Sequence, residues 1–237
     1  MPLTTEMCPY CGEELKRMQL PGSTHFIRIQ CECEGAVAAR RAEMIERRSD
    51  VLRMAWEHTG VPKRYLDVKP DFASLDKLTD GHGLYIFGVR GVGKTHHACE
   101  ILKAYVAKNT SSAGWCSARF ISASKWLDGI SECYGKWNAS AEDAFQTAAN
   151  TGLLVFDDFG KVSRVSEWSL SKLFRLVDER YCEMKPTVFT SKYSLSQLAE
   201  RFDAIDPESS GDMISRIRET CERIEMSGDD LRLGQSA

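Results

Sequence analysis

The feature that most constrains the fold is a glycine-rich segment, Gly88-Val89-Arg90-Gly91-Val92-Gly93-Lys94-Thr95, which has the pattern G-x-x-x-x-G-K-T. It follows the apolar run 83–88 and precedes a helical pattern over 94–108. Glycines let backbone N–H groups converge on phosphate oxygens, and a helix start adds the positive end of its dipole. The strand–loop–helix context disfavours the alternative of a chance glycine-rich turn. We therefore predict a nucleotide-binding loop.

The loop predicts a role for each of its polar side chains. Lys94 is expected to reach the β- and γ-phosphates of ATP, and the Thr95 hydroxyl is expected to ligate Mg²⁺. The predicted nucleotide-binding set runs from Gly88 through His96, the residue that follows Thr95.

Two carboxylates follow an apolar run, Leu153–Phe156, further along the chain. Asp157, at the strand tip, is expected to help hold Mg²⁺, directly or through a bound water. Asp158 is then expected to orient or deprotonate the attacking water. For Asp158 a structural role resembling a helix N-cap is the alternative.

Apolar runs and helical patterns alternate along the rest of the chain, which predicts an α/β fold with a parallel sheet between helices. Strands are predicted at 83–88, 118–123, 152–160 and 186–191, and helices at 36–58, 94–108, 124–134, 167–183, 195–202 and 211–222. Three regions are expected: a small cysteine-rich module (1–35), a basic helical linker (36–64) and the nucleotide-binding domain (65–237). The basic face of the linker helix is either a contact for a partner or nucleic acid, or a solvated surface.

Composition limits the remaining possibilities. The chain has 237 residues, a formal net charge of -3 and nine cysteines. No uninterrupted apolar run is long enough to span a membrane, and the N-terminus does not resemble a secretory signal, so we expect a cytoplasmic protein with no membrane partner. The near-neutral charge excludes a uniformly basic surface for nucleic acid but not a local basic patch.

Four of the cysteines are clustered near the N-terminus, in the pattern Cys8-x2-Cys11 followed by Cys31-x-Cys33. Two closely spaced pairs are typical of a tetrahedral Zn²⁺ site, and a four-cysteine site leaves no open position for catalysis. His25 is a possible competing ligand. The alternatives are a redox C-x-x-C, which lacks the expected βαβ context, and metal-free cysteines. We predict structural zinc.

The order of the motifs resembles one ATPase family. The glycine-rich loop, LLVFDDFG, PTVFTSKYSLSQLAERF and MISRIRET follow one another as in AAA+ helicase loaders of the DnaC/DnaI type, and 60–66 (GVPKRYL) resembles the segment ahead of their core. The resemblance covers roughly residues 60–232. Transposon-associated ATPases of the IstB type share most of these motifs, and the sequence separates the two groups poorly. The resemblance implies an AAA+ P-loop ATPase core beside the predicted zinc module.

The resemblance also implies roles for three further residues. Lys192, in Thr190-Ser191-Lys192, stands at the sensor-1 position, where relatives usually carry a water-orienting Asn. Arg216 matches the arginine finger that reaches a neighbouring subunit's nucleotide, with Arg218 as its competitor, and Arg232 stands where a sensor-2-like arginine is expected. Without the resemblance, Arg216 would be interpreted as a solvated helix residue.

A loader of this type implies three kinds of partner: a DnaB-type replicative helicase, single-stranded DNA and further copies of itself through the ATP interface. In loaders the N-terminal region holds the helicase. Tyr134, Lys136 and Trp137 offer aromatic rings beside a cation, a pattern that suits single-stranded DNA but also a core or an interface. Two alternatives stay open: a transposition regulator acting on DNA, and a nucleotide-gated adaptor with little turnover, suggested by Lys192 and by Asp158 in place of the commoner Glu.

Overall fold

The structure, a computed structural model, describes residues 6–79, 81–132, 139–161 and 166–232. The strands are β1 Arg17–Gln19, β2 Phe26–Arg28, β3 Gly83–Gly88, β4 Ala118–Ser122, β5 Leu153–Asp157, β6 Thr187–Ser191 and β7 Cys221–Met226. The helices are α1 Glu34–Glu57, α2 Phe72–Leu75, α3 Lys94–Asn109, α4 Ala123–Glu132, α5 Ala139–Asn150, α6 Glu167–Cys182, α7 Leu195–Asp203 and α8 Pro207–Thr220. The chain divides into two compact units, Met1–Val51 and Leu52–Ala237. The predicted three-part division stays a prediction.

A five-stranded parallel sheet organises the larger unit, with the strand order β4-β5-β6-β3-β7. The strand that leads into the glycine-rich loop, β3, lies between β6 and β7, and its Gly88 pairs with Met226 of β7. Parallel strands bring their carboxyl ends to one edge of the sheet. The ends of β3, β5 and β6 therefore meet where the predicted nucleotide-binding residues lie.

Both faces of the sheet are buried, as the continuous apolar runs predict. Alternate residues point to opposite faces. Tyr85, Phe156 and Phe189 pack in one cluster with side chains of α4 to α8. Ile86 and Val155 pack in the other, with side chains of α3 and with residues 55–68. The prediction of an α/β fold with a parallel sheet between helices is confirmed.

The C-terminal part of the sheet differs from the prediction. The predicted helix 211–222 is wrong at both ends, because α8 spans Pro207–Thr220 and the chain then enters β7. Asp206 caps α8 by accepting hydrogen bonds from the N–H groups of Glu208 and Ser209. The strand was missed because it has one buried residue, Cys221, and three charged ones among its six residues, so it does not form an apolar run.

Three further elements were not predicted. The short helix α2 begins at Phe72 and is capped by Asp71, and α5 packs through Phe145, Ala148 and Ala149 in the core. The third element is the antiparallel β1–β2 hairpin. The predicted helix 124–134 is present as α4, and its last two residues lie outside the described part of the chain. No helix among the described residues is long and apolar enough to cross a membrane.

The smaller unit has little apolar core. An antiparallel hairpin pairs Met18 of β1 with Ile27 of β2, and both strands are exposed along their length. Among the described residues of this unit, Cys8 and Ala36 are the buried hydrophobic ones. So little burial cannot hold a fold of this size by itself, which is why such modules depend on disulfides or metals.

Candidate nucleotide site and cysteine cluster

The glycine-rich loop connects β3 directly to the N-terminus of α3. Gly93 precedes Lys94 at the start of α3 with φ of 94°, a left-handed conformation that disfavours other residues. At Gly88 a Cβ atom would lie 1.9 Å from the carbonyl oxygen of Met226 in the neighbouring strand. The loop therefore requires glycine at both ends, and its backbone N–H groups lie at a helix N-terminus, where anions bind.

Lys94 lies across its own loop. Its ammonium group donates hydrogen bonds to the carbonyl oxygens of Gly88 at 2.9 Å and Val89 at 2.6 Å. Burial lowers the pKa of Lys94, while the charge of Asp158 opposes this shift. The Lys94 side chain can contact a phosphate only after it breaks these two hydrogen bonds.

Thr95 and Asp157 are brought together as predicted for a magnesium site. The Thr95 hydroxyl donates a hydrogen bond to Oδ1 of Asp157 at 2.8 Å, which joins α3 to the end of β5. Asp157 is 8% exposed, and this burial raises its pKa although hydrogen bonds from Thr190 and Thr95 lower it. Both groups offer oxygen atoms, which are the ligands that Mg²⁺ prefers, and the two oxygens are close enough to bind one ion.

Asp158 occupies a turn just beyond β5. Its backbone has φ of 55°, and Asp tolerates this left-handed conformation better than most residues. Its carboxylate forms an ion pair with Lys161 at 2.6 Å. Lys161 was not predicted from the sequence, because a lysine three residues after an acidic pair is common in exposed turns.

Lys192, the residue that the resemblance assigns to the sensor-1 position, directly follows the last residue of β6. The side chain is exposed, and its ammonium nitrogen lies 4.6 Å from the centre of the Tyr193 ring. Among the contacts of the described residues, none joins this ammonium group to Asp157 or Asp158. Thr190, two residues earlier, contacts both carboxylate residues instead.

Arg216 lies on α8, beside α6. Its Nε is 2.8 Å from a carboxylate oxygen of Asp178, and its guanidinium lies 5.2 Å from the centre of the Phe174 ring. Within the described residues, it has no contact with the glycine-rich loop. The residues that follow α8 enter β7 at Cys221, which pairs with Gly83 at the start of β3, away from the loop that follows Gly88. Arg216 is therefore not brought to the nucleotide site of its own chain.

The residues after β7 return to the loop. The Leu231 N–H donates a hydrogen bond to the carbonyl oxygen of Gly91 at 3.2 Å, and the Asp230 carboxylate lies against the same glycine. The Arg232 N–H donates to Asp230 at 3.0 Å. Arg232 is thus near the predicted site, close enough that its charge also lowers the pKa of Lys94. His96, in the first turn of α3, makes an edge contact with the ring of Tyr65.

The four N-terminal cysteines form a compact cluster in the smaller unit. Their sulfur atoms all lie within 4.8 Å of one another. The Cys8–Cys33 sulfurs are 3.8 Å apart and the Cys11–Cys31 sulfurs 3.5 Å apart. A disulfide would require about 2.05 Å, whereas tetrahedral zinc with bonds of about 2.3 Å places sulfurs about 3.8 Å apart.

The chemistry of the donors also fits a metal. Hydrogen bonds from the backbone N–H groups of Tyr10 and Cys11 lower the pKa of Cys8 to about 7, whereas hydrogen bonding to neighbouring cysteines and burial raise the pKa of Cys11 and Cys31. Zinc binds the thiolate form, so its binding would release the protons of the remaining thiols. His25 is not part of the cluster of metal-binding groups that the described residues form.

The fold and the site together define a class of protein. A parallel sheet of this order, a G-x-x-x-x-G-K-T loop after one strand and an acidic pair after another are the features of an AAA+ P-loop ATPase. The sequence matches the family of IstB-like ATP binding proteins over residues 38–237, and the chain belongs to that family. The resemblance to the IstB/DnaC type is confirmed.

Several solved structures share this fold. The DnaC helicase loader is 24% identical, with a TM-score of 0.54 over 70% of this chain and 100% of that chain. DnaI is 22% identical, with a TM-score of 0.55 over 66% of this chain and 80% of its own. A putative primosome component from Streptococcus pyogenes is 18% identical, with a TM-score of 0.55 over 74% and 96%. No curated protein matches the sequence.

Proposed function

We propose that this chain is an ATP-dependent helicase loader, which binds a DnaB-type replicative helicase and single-stranded DNA during replication initiation. The observation that carries the proposal is the likeness to the DnaC helicase loader over the whole of that chain. The order of the motifs along the chain supports it, with the glycine-rich loop after β3 and the acidic pair at the end of β5. Family membership supports the ATPase activity but is shared with proteins of the IstB type.

In this proposal each polar residue of the site has one task. The loop from Gly88 to Gly93 binds phosphates through its N–H groups, and Lys94 exchanges its carbonyl partners for phosphate oxygens. Thr95 and Asp157 hold Mg²⁺, which supplies charge neutralisation when bound. Asp158 orients the attacking water. Arg232, which follows the Asp230 turn beside Gly91, contacts the phosphates.

Arg216 supports a proposal of self-association. An arginine that reaches a neighbour's nucleotide typically raises turnover by ~10³–10⁵-fold. Arg216 lies away from the loop of its own chain, so it fits a role in a second subunit. It would then leave Asp178 and Asp212, with which it forms ion pairs in the single chain. Lys192 is exposed at the end of β6, so a contact with the γ-phosphate requires the side chain to turn away from Tyr193.

We assign zinc to the cysteine cluster, with Cys8, Cys11, Cys31 and Cys33 as its ligands. The metal supplies the folding free energy that the smaller unit lacks in apolar burial. We further propose that this unit is the surface by which the helicase is held. The predicted DNA contacts at Tyr134, Lys136 and Trp137 lie outside the described residues.

A pull-down of a DnaB-type helicase by the purified chain, with ATP present, tests the loader proposal. We expect retention of the helicase by the wild type and loss with Cys31→Ser, while Cys182→Ser, an exposed cysteine outside the cluster, serves as the control. No binding of the helicase together with binding of a transposase would favour the IstB-like alternative.

Steady-state ATPase assays with and without single-stranded DNA test the adaptor alternative. Robust turnover that Asp158→Asn abolishes would exclude a nucleotide-gated adaptor. Turnover indistinguishable from background in the wild type, with ATP still bound, would favour it.

A further inference from the structure

The hydroxyl group of Thr190 lies between the two acidic residues of the site. It donates a hydrogen bond to Oδ1 of Asp157 at 2.6 Å and accepts one from the backbone N–H of Asp158 at 3.0 Å. The directions are fixed, because an N–H can only donate and a carboxylate can only accept. One buried oxygen atom, on a residue that is 1% exposed, thus joins both acids to β6.

The backbone continues the same connection. The regular pairing of β5 with β6 ends at Phe156 and Phe189, before the acidic pair begins. Beyond it the Phe159 N–H donates to the carbonyl oxygen of Thr190 at 2.7 Å. The Ser191 hydroxyl donates to the carbonyl oxygen of Phe159, also at 2.7 Å. The turn that carries Asp158 in its left-handed conformation is therefore held by Thr190 and Ser191.

Thr190 also determines how the Asp157 carboxylate is presented. Thr95 and Thr190 both donate to Oδ1, and these are the hydrogen bonds that the described residues give this carboxylate. Two donors on one oxygen fix the rotation of the carboxylate and leave Oδ2 for a ligand. Groups that orient a metal ligand in this way typically change metal affinity or activity by 10–100-fold when they are lost.

We propose that Thr190 is a positioning residue for ATP hydrolysis, which ties the end of β6 to Asp157 and Asp158 through its hydroxyl group. The proposal rests on the roles proposed above for those two residues. In this chain the connection between β6 and the acidic pair is made by Thr190, whereas Lys192 is directed to the ring of Tyr193.

The test compares Thr190→Val, which keeps the shape and removes the hydroxyl, with Thr190→Ser, which keeps the hydroxyl. Thr110→Val is the matched control, because Thr110 is a buried threonine whose hydroxyl donates to Val106 far along α3. Three quantities are measured on the full chain: the kcat and KM of ATP hydrolysis, and the Mg²⁺ concentration that gives half-maximal binding of a fluorescent ATP analogue.

We expect Thr190→Val to lower kcat by about 10–100-fold and to raise the half-maximal Mg²⁺ concentration by a similar factor, with KM changed by less than about 3-fold. Thr190→Ser should retain both values within about 3-fold of wild type, and Thr110→Val should leave them unchanged. A valine variant with wild-type kcat and Mg²⁺ dependence overturns the proposal, as does a serine variant as impaired as the valine variant.

Two outcomes need a second measurement. If Thr190→Val does not fold, Thr190→Ala replaces it in the same comparison with Thr190→Ser. If the wild type shows no turnover, the loader proposal fails at its ATPase step, and the Mg²⁺ titration alone decides the role of Thr190. An unchanged titration then overturns it.

Discussion

Replacement of Arg180 by methionine is predicted to lower the free energy of unfolding of the larger unit by about 3–5 kcal/mol. Arg180 lies on α6 and is 2% exposed. Its Nε donates to the Thr187 hydroxyl at 2.8 Å. Its other two nitrogens donate to five carbonyl oxygens, those of Ala148, Ala149, Thr151, Gly152 and Pro186. One guanidinium thus joins the end of α5 to the starts of β5 and β6.

The magnitude follows from these acceptors. Burial lowers the pKa of Arg180 to about 9, so the group remains a cation at neutral pH. Methionine fills similar space but donates nothing, so the carbonyl oxygens lose their donor. A buried polar group left without its partner costs about 1–3 kcal/mol. If each of the five carbonyl oxygens costs about 1 kcal/mol, and relaxation of the loop after α5 recovers part of this cost, the free energy of unfolding falls by about 3–5 kcal/mol.

Urea and thermal unfolding measure the effect. The melting temperature should fall by roughly 6–20 °C. Arg175→Met is the control, since Arg175 lies on the same helix with a side chain that is 41% exposed, paired to Glu142 and Glu179. Exposed pairs contribute about 0–1 kcal/mol each. Equal losses in the two variants, or a loss below about 1 kcal/mol for Arg180→Met, would refute the reasoning.

Three further predictions concern the site and its supports. Lys94→Ala should weaken ATP binding by about 10–100-fold, because it removes one charge-assisted hydrogen-bond donor. Titration with a fluorescent ATP analogue measures the affinity, and Lys108→Ala, at the far end of α3, should leave the affinity unchanged. Metal analysis should find one equivalent of zinc in the purified chain and none in Cys31→Ser. Removal of the metal by a chelator should unfold residues 6–51, so that their amides lose protection from hydrogen exchange while the amides of the larger unit stay protected. A zinc-free wild type with an intact hairpin would contradict the assignment. Hydrogen bonds from Ser209 hold the pKa of Asp206 below its ordinary value. Its stabilising effect is therefore present above the unfolded-state pKa and lost as pH falls through the folded-state pKa, so the stability difference between wild type and Asp206→Ala should narrow between neutral pH and about pH 3 in urea unfolding. A difference that is constant with pH would show that the carboxylate charge contributes nothing to the cap.

The sequence predicts the parts of the fold that have a strong local cause. The loop Gly88–Thr95 needs glycine because neighbouring backbone approaches closely and because Gly93 is left-handed. The buried strands β3, β5 and β6 are visible as apolar runs because helices cover both faces of the sheet. Their parallel arrangement also predicts that Thr95 and Asp157 meet, as they do.

The rest depends on contacts between distant parts of the chain. Strand β7 carries three charged side chains and follows α8 without a break, so its sequence continues the helical pattern instead of forming an apolar run. The role proposed for Thr190 has no sequence signal beyond a threonine at the end of an apolar strand. It becomes visible once β6 lies beside β5. The ion pair of Arg216 with Asp178 likewise depends on the packing of α8 against α6.

The pairing of β3 with β6 and β7 has a consequence for how the chain matures. During synthesis β3 is the first strand of the large sheet to be made, yet its two neighbours are the last two. The glycine-rich loop therefore lacks both of its flanking strands until residue 226 has been added, whereas the cysteine cluster is complete after Cys33. Non-local parallel pairing is also slow. A nascent or C-terminally shortened chain would thus have its cysteine cluster complete while its ATP-binding loop still lacks both neighbouring strands.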